Sequence, residues 1–180
     1  MPTLHELHIL TLPIPAALAV SALVPLAVGM VWYNPKLFGA SWMEAVGLKP
    51  EDGKTMNMPV VFGLTFVFSF FMGFVLMSLT NHHYSFYSML MGPELQDPSS
   101  KLHSWAADVV TQYGGRYRTF RHGALHGALT GIFFVTPVIA INSMFERRGW
   151  KYIAINGGYW TVCLAIMGAL ICHLTPAHMM

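Results

Sequence analysis

"HGALHGALTGIFFVTPVIAINSMF", residues 122–145, contains no Asp, Glu, Lys or Arg. A helix needs about 20 mostly apolar residues to cross the hydrocarbon core of a bilayer, so this stretch is long enough for one crossing. Three further runs lack the same residue types: residues 12–35, 55–93 and 152–180. Charged residues make up 10% of the chain, against about 25% in typical soluble proteins. The composition therefore indicates that lipid, and not water, surrounds most of this chain.

These runs predict an all-α membrane protein, because a backbone in hydrocarbon must satisfy its own hydrogen bonds within a helix. We expect a single transmembrane domain over residues 1–180 that contains four spanning helices. Pro25 lies in the middle of the first span and predicts a kink there. The expected spans are residues 13–34, 58–79, 122–145 and 152–174.

Residues 80–121 form an extramembrane insertion between the second and third spans. Within the insertion, "DPSSKLHSWAADVVTQYGG" carries helix start signals at its beginning and two glycines at its end. Apolar residues recur there at spacings of three and four, which predicts an amphipathic helix. Trp105 and Tyr113 favour a helix that lies in the membrane interface. The alternative is a helix that packs on its own loop or on a partner.

Two further stretches carry a family resemblance. They are "VWYNPKLFGASW", which ends at Trp42, and "INSMFERRGWKYIAINGGYW", which ends at Trp160. Their pattern of aromatic, Asn, Gly and Phe-Glu positions resembles domain-of-unknown-function family 1761. The resemblance implies a small bacterial integral membrane protein with four helices and no assigned activity. It does not obviously extend over residues 80–121.

Several motif residues are polar or aromatic, and they fall near helix ends on one side of the membrane. We call them the motif cluster. They could form a structural clamp that holds the short loops on the bundle, or else a pocket for a substrate or a lipid headgroup. The motif cluster comprises Asn34, Trp42, Asn142, Glu146, Arg147, Trp150, Asn156, Tyr159 and Trp160.

Lys and Arg counts predict the orientation. With four crossings, both termini and the insertion share one side, which carries four Lys and Arg residues. The short loops on the other side carry six, and cytoplasmic loops are enriched in these residues. We therefore expect a multi-pass protein of the bacterial inner membrane with both termini extracytoplasmic. The amino-terminal flank lacks the positive charge of a cleavable signal peptide.

All nine histidines fall on the side of the termini or at helix ends that face it. Neutral imidazole is the commonest metal ligand. His122 and His126 share one helix face, as two ligands of one ion require. His82, His83 and His173 end neighbouring spans at the same level. The pattern predicts a candidate metal site, with a haem between His126 and His173 as a related possibility. The alternative is that these imidazoles merely suit the bilayer interface.

Gly123, Gly127 and Gly131 recur every four residues, and we call them the glycine seam. In lipid, helices associate by close packing, and glycine lets two backbones approach. Ala165 and Ala169 are also four apart on the last helix. The seam therefore predicts helix packing, either within the chain or against another protein.

Three functional classes remain. The small size, the glycine seam and the lack of a catalytic set favour a structural or accessory subunit of a membrane complex, or a homo-oligomer, over an enzyme. Its expected partners are membrane lipid and other membrane subunits or copies of itself. A metal or haem protein and a small-molecule or lipid transporter are the alternatives. A net charge of +2 is too small to favour nucleic acid.

Overall fold

The computed structural model describes residues 12–49, 51–52 and 56–175. These residues are 82% helical and contain no strand, so the all-α prediction is confirmed. Short π-helical turns at Pro35–Gly39 and Gly131–Val135 interrupt the α-helices. The α-helices in chain order are α1 (Ile14–Ala22), α2 (Val24–Trp32), α3 (Ala40–Val46), α4 (Met58–Thr80), α5 (His82–Leu90), α6 (Pro93–Gln96), α7 (Lys101–Tyr113), α8 (Phe120–Thr130), α9 (Thr136–Phe145) and α10 (Trp150–Leu174).

Four stretches of the described chain are long and apolar enough to cross a membrane: Ile14–Trp32, Met58–Thr80, Phe120–Phe145 and Trp150–Leu174. They agree with the predicted spans to within two residues at each end. The chain is therefore a multi-pass membrane protein.

Two spans contain the irregularities that proline imposes. The first breaks between α1 and α2, because Pro25 has no N–H and its ring excludes a regular preceding turn. In the third span, Pro137 follows the π-helical turn Gly131–Val135, which the sequence pattern did not predict. The Thr136 hydroxyl donates a hydrogen bond to the Gly131 carbonyl oxygen at 2.8 Å, so this oxygen of the π-helical turn has a side-chain partner. Each interruption lies next to a proline, which lacks the backbone N–H of a regular helix.

α10 lies at the centre of the bundle. In its most apolar 18-residue window 56% of the residues are buried, against 11–33% in the other three spans. Leu18 of α1, Leu76 of α4 and Met167 of α10 meet in the core and are almost fully buried. Large apolar side chains such as Phe133 and Phe134 are exposed on the outside of the bundle. That distribution suits a bundle solvated by hydrocarbon.

The insertion is more structured than the sequence predicted. α7 was expected, but α5 and α6 were not. Ala106 and Val110 of α7 are buried, whereas Trp105 and Tyr113 are 52% and 46% exposed. α7 therefore packs one part of its apolar face on the protein and presents the other part outward.

Candidate metal centre

Two histidines of the site lie on α8. The Thr119 side-chain oxygen accepts a hydrogen bond from the His122 amide at 3.2 Å and caps the start of the helix. His126 follows one turn later, so both imidazoles lie on the same face. The cap and the helical spacing together set the positions of two ring side chains relative to one another.

His82 begins α5, immediately after the span α4 ends at Thr80. The chain changes direction at Asn81, which has an extended backbone and is 1% exposed. The Asn81 side-chain nitrogen Nδ2 donates to the Thr175 hydroxyl at 3.0 Å, and the side-chain oxygen Oδ1 accepts from Arg118 at 3.3 Å. These bonds hold the bend that brings His82 to α8.

The three imidazoles of His82, His122 and His126 form what we call the histidine cluster. One ligand nitrogen from each lies within 4.8 Å of the others. The Nε2 atoms of His82 and His122 are 3.0 Å apart. Ring centroids are separated by 4.5 to 5.3 Å within the cluster. Three donors therefore converge on one point from two helices.

This geometry suits a small metal ion. Zn–N bonds of about 2.0–2.1 Å in a tetrahedron place ligand nitrogens roughly 3.3 Å apart, so only small side-chain rotations are needed. His82 is exposed and the other two rings are half-buried, so an ion can reach the cluster. Among the described residues no fourth His, Cys, Asp or Glu joins the group, which leaves a coordination position for water or a ligand.

The other candidate histidines lie apart from the cluster. His173 stacks on Phe120 with ring centroids 4.1 Å apart, and His83 is buried beside Tyr84. His5, His8 and His178 lie outside the described residues. A haem between His126 and His173 does not fit, because α8 and α10 are in backbone contact and leave no gap for a porphyrin. The sequence pattern placed these histidines at one level of the bundle but did not distinguish which of them converge.

The glycine seam lies against α10 of the same chain. A Cβ on Gly123 would overlap the Gly168 carbonyl, and one on Gly127 would overlap the Leu164 carbonyl. A Cβ on Gly131 would lie 2.5 Å from the Thr161 Cα. The seam thus faces the centre of the bundle, and the histidines occupy the neighbouring stripe of α8. Close packing of α8 on α10 holds α8 in place, and α8 carries His122 and His126 of the histidine cluster.

Part of the motif cluster assembles at the opposite end of the bundle. The Tyr33 hydroxyl donates to the Asn156 side-chain oxygen at 2.9 Å, and the Tyr33 ring contacts Trp42 and Tyr159 at 5.3 and 5.0 Å. The Trp32 indole donates to the Ile155 carbonyl oxygen at 3.1 Å. These bonds tie the end of the first span to α10. The sequence analysis did not include Trp32 and Tyr33 in the motif cluster, although both lie in the stretch "VWYNPKLFGASW" that carries the family resemblance.

Other motif residues have separate roles. Asn34 caps the π-helical turn by accepting from the Lys36 amide at 2.9 Å. Glu146 pairs with Arg148, at 3.3 Å, and not with Arg147. Arg147 has a φ of 57° and shapes the tight turn before α10. Asn142 and Trp150 are exposed. The motif cluster therefore does not form one site. Some of its residues pack at the aromatic contact with α10, and others shape the loops and helix ends.

A group of buried polar residues, Asn81, Arg118 and Thr175, was not predicted from the sequence. Arg118 is 4% exposed and donates from Nη2 to the Thr175 hydroxyl at 2.9 Å and also to the Thr175 carbonyl oxygen. Burial lowers the pKa of Arg118, but the guanidinium stays charged at pH 7 because its usual value is so high. No sequence pattern signals a contact between residues 57 positions apart.

Comparison with known proteins identifies the family but no activity. The family model described as "Protein of unknown function (DUF1761)" matches residues 16–172, a range that runs through the insertion. No curated protein and no solved structure matches. Because the match covers most of the chain and reaches into all four spans, the chain belongs to this family of proteins of unknown function.

Proposed function

We propose that the protein binds a divalent transition-metal ion, with Zn²⁺ as the best fit, through the histidine cluster. The observation that carries the proposal is the convergence of one nitrogen each from His82, His122 and His126 within 4.8 Å. Two of these residues are 40 positions apart in sequence, so their meeting is a product of the fold. Neutral imidazole is the commonest metal ligand in proteins, and three imidazoles are a known ligand set for Zn²⁺.

The donor set favours Zn²⁺. Imidazole ligands suit Zn, Cu, Ni and Fe, whereas Mg²⁺ and Ca²⁺ prefer oxygen. Cu²⁺ and Ni²⁺ favour planar arrangements, and three donors from two helices converge from different directions. Zn²⁺ imposes no electronic preference and accepts a tetrahedral set with one open position. An open position suits transfer or activation of a ligand better than a purely structural role.

We further propose that this site faces the extracytoplasmic side of the bacterial inner membrane. The short loops at the opposite end of the bundle carry six Lys and Arg residues, against four on the side of the cluster. In this orientation the protein takes its metal from outside the cytoplasm.

Metal content tests the proposal directly. The protein is purified in mild detergent with an affinity tag that contains no histidine, and bound metals are measured by plasma mass spectrometry. We expect about one Zn²⁺ per wild-type chain and nearly none in the double variant His122→Gln, His126→Gln, because one imidazole alone holds the ion weakly. Zn²⁺ should also raise the melting temperature of the wild type only, since the ligand binds the folded state.

His173→Gln is the matched control, since it removes a histidine at the same end of the bundle but outside the cluster. It should retain the metal. Equal metal content in the double variant and the wild type would contradict the proposal, provided both elute as folded protein.

The accessory-subunit and transporter hypotheses stay predictions. The glycine seam lends less support to self-association, because the chain's own α10 covers it. Association with other membrane proteins would have to use another surface, such as the outward face of the span Phe120–Phe145, where only 11% of the most apolar window is buried. Native mass spectrometry of gently solubilised protein would detect such partners in the same preparation as the metal.

A further inference from the structure

A cavity of about 260 Å³ adjoins the histidine cluster, and His82 is part of its lining; it lies between the end of α4, the helices α5 and α7, and the loop before α8. Within the described part of the chain, its lining contains two arginines, Arg116 and Arg118, and no Asp or Glu. Phe86, Val109 and Val110 supply an apolar wall. The cavity is therefore cationic on one side and apolar on the other.

Arg118 is buried, and no carboxylate from residues 12–49, 51–52 or 56–175 forms an ion pair with it. The hydrogen bonds of its guanidinium to described residues go to the neutral acceptors Asn81 and Thr175. The ion pairs among the described residues join Arg148 with Glu146 and Lys151 with Glu44, so none involves Arg118. A buried charge is costly unless an opposite charge accompanies it. The fold thus maintains a positive charge beside the cavity that the described residues do not neutralise.

The hydrogen bonding of Arg118 is also incomplete. Its Nε atom is buried and has no hydrogen-bond partner among the described residues. Arginine offers five N–H donors in a planar fork, and this fork matches the oxygens of a phosphate group. This unmet donor adds to the unfavourable environment of the Arg118 charge, which an anion in the adjoining cavity would offset.

Arg116 adds a second, accessible cation. It is exposed, lines the same cavity, and its guanidinium carbon lies 4.5 Å from the centre of the Tyr113 ring. Stacking on an aromatic ring orients the guanidinium and leaves its N–H edge free to bind. Arg116 is therefore placed to hold an anion at the mouth while Arg118 supplies the deeper charge.

The position of the cavity matches the depth of lipid headgroups. Thr80 ends one span, and Arg118 lies two residues before another span begins at Phe120. At this depth a buried arginine lies level with the lipid phosphates, and a positive charge near the membrane surface attracts anionic headgroups. The apolar wall suits the glycerol and upper acyl portion of a lipid.

We propose that this cavity binds a phosphate group, through Arg116 and Arg118, from either an anionic phospholipid or free phosphate. The proposal rests on the two arginines and not on a bound metal, although His82 of the histidine cluster lines the same cavity. The chemistry of the two sources is shared, because both present phosphate oxygens, so the experiment must separate them.

The test compares wild type with Arg116→Gln in detergent micelles. Melting temperature is measured with added phosphatidylglycerol, phosphatidylcholine or inorganic phosphate, and native mass spectrometry counts bound lipid. Arg121→Gln is the matched control, because Arg121 is exposed, carries the same charge and does not line the cavity. We expect phosphatidylglycerol to stabilise wild type and Arg121→Gln, and Arg116→Gln to bind it at least about tenfold more weakly, the loss expected when one charged contact to phosphate is removed.

The pattern of ligands identifies the source. Stabilisation by phosphatidylglycerol but not inorganic phosphate supports a lipid site, and stabilisation by both supports a site for free phosphate. Equal stabilisation by phosphatidylcholine and phosphatidylglycerol, or equal binding by Arg116→Gln and Arg121→Gln, would overturn the proposal.

The exposed Arg116 is substituted because replacing the buried Arg118 would remove the hydrogen bonds that hold the bend at Asn81. Unchanged Zn²⁺ content in Arg116→Gln keeps this outcome separate from the test of the metal site.

Discussion

Gly127 shows how one residue decides the packing of the bundle. It lies where α8 meets α10, and a side chain there would overlap the Leu164 backbone. A backbone cannot move aside as the end of a flexible side chain can, so the two helices would have to separate.

Gly127→Ala should therefore lower the free energy of unfolding by about 1–3 kcal/mol, the usual cost of overpacking. A thermal melt in detergent, followed by size-exclusion fluorescence, measures the effect. Gly63→Ala is the control on another span, because a Cβ at Gly63 meets no atom within 4 Å. It should be neutral or stabilise by about 0.5–1 kcal/mol. Equal melting temperatures for the two variants would show that the seam is not tightly packed.

The sequence predicted the relative positions of functional residues best when those residues lie close together along one helix. The spacing of His122 and His126 predicted two ligands on one face, and their rings lie 4.5 Å apart. Sequence reasoning could not choose among His82, His83 and His173 as the third member. That choice depends on the bend at Asn81, which is held by Arg118 and Thr175 from distant parts of the chain.

At the scale of elements, α7 was predicted to be amphipathic, and the helix forms as expected; its placement in the membrane interface stays a prediction. Ala106 and Val110 pack inward, while Trp105 presents its ring outward. A tryptophan with one face on protein and one face outside is typical of the membrane interface.

Spin labels on α7 would test this placement. We expect a label at Trp105→Cys to be several-fold more accessible to oxygen, relative to a water-soluble nickel chelate, than one at Thr111→Cys, because oxygen concentrates in the apolar phase. Thr111 is exposed and lies on the other side of the helix. The native Cys163 and Cys172 are fully buried and should not be labelled. Similar ratios at both positions would place α7 in water or against a partner.

The boundaries of the spans could be predicted from the hydropathy and the prolines of the sequence. The irregular turns inside the spans could not. The spans matched closely because apolar length is read directly along the chain. The π-helical turn at Gly131–Val135 escaped prediction, because it depends on how the span accommodates Pro137 while Gly131 and Thr136 pack on α10.

At the scale of the whole molecule, the four spans place the beginning of the first span and the end of the last span at the same end of the bundle. The Leu12 amide donates to the Leu174 carbonyl oxygen at 2.8 Å, which joins the beginning of the first span to the end of the last. The histidine cluster lies at this same end, next to the start of α8.

Cysteine labelling in intact cells would test the orientation. Ser99→Cys in the insertion should react with a membrane-impermeant maleimide, because we expect that side to be extracytoplasmic. Gly149→Cys should react only after permeabilisation, and its site is open enough to accept a side chain. The reverse pattern would invert the orientation. Labelling of both in intact cells would contradict the four-span topology itself.

The sequence by itself determined that this chain crosses a membrane as four helices, because hydrophobic length and the need to satisfy backbone hydrogen bonds in lipid are properties of consecutive residues. Tertiary structure alone decided that α10 is central, that His82 joins His122 and His126, and that Arg118 lies buried beside a cavity. These features arise from contacts between distant positions. A single sequence carries no periodic signal for such contacts, since each depends on how whole helices pack.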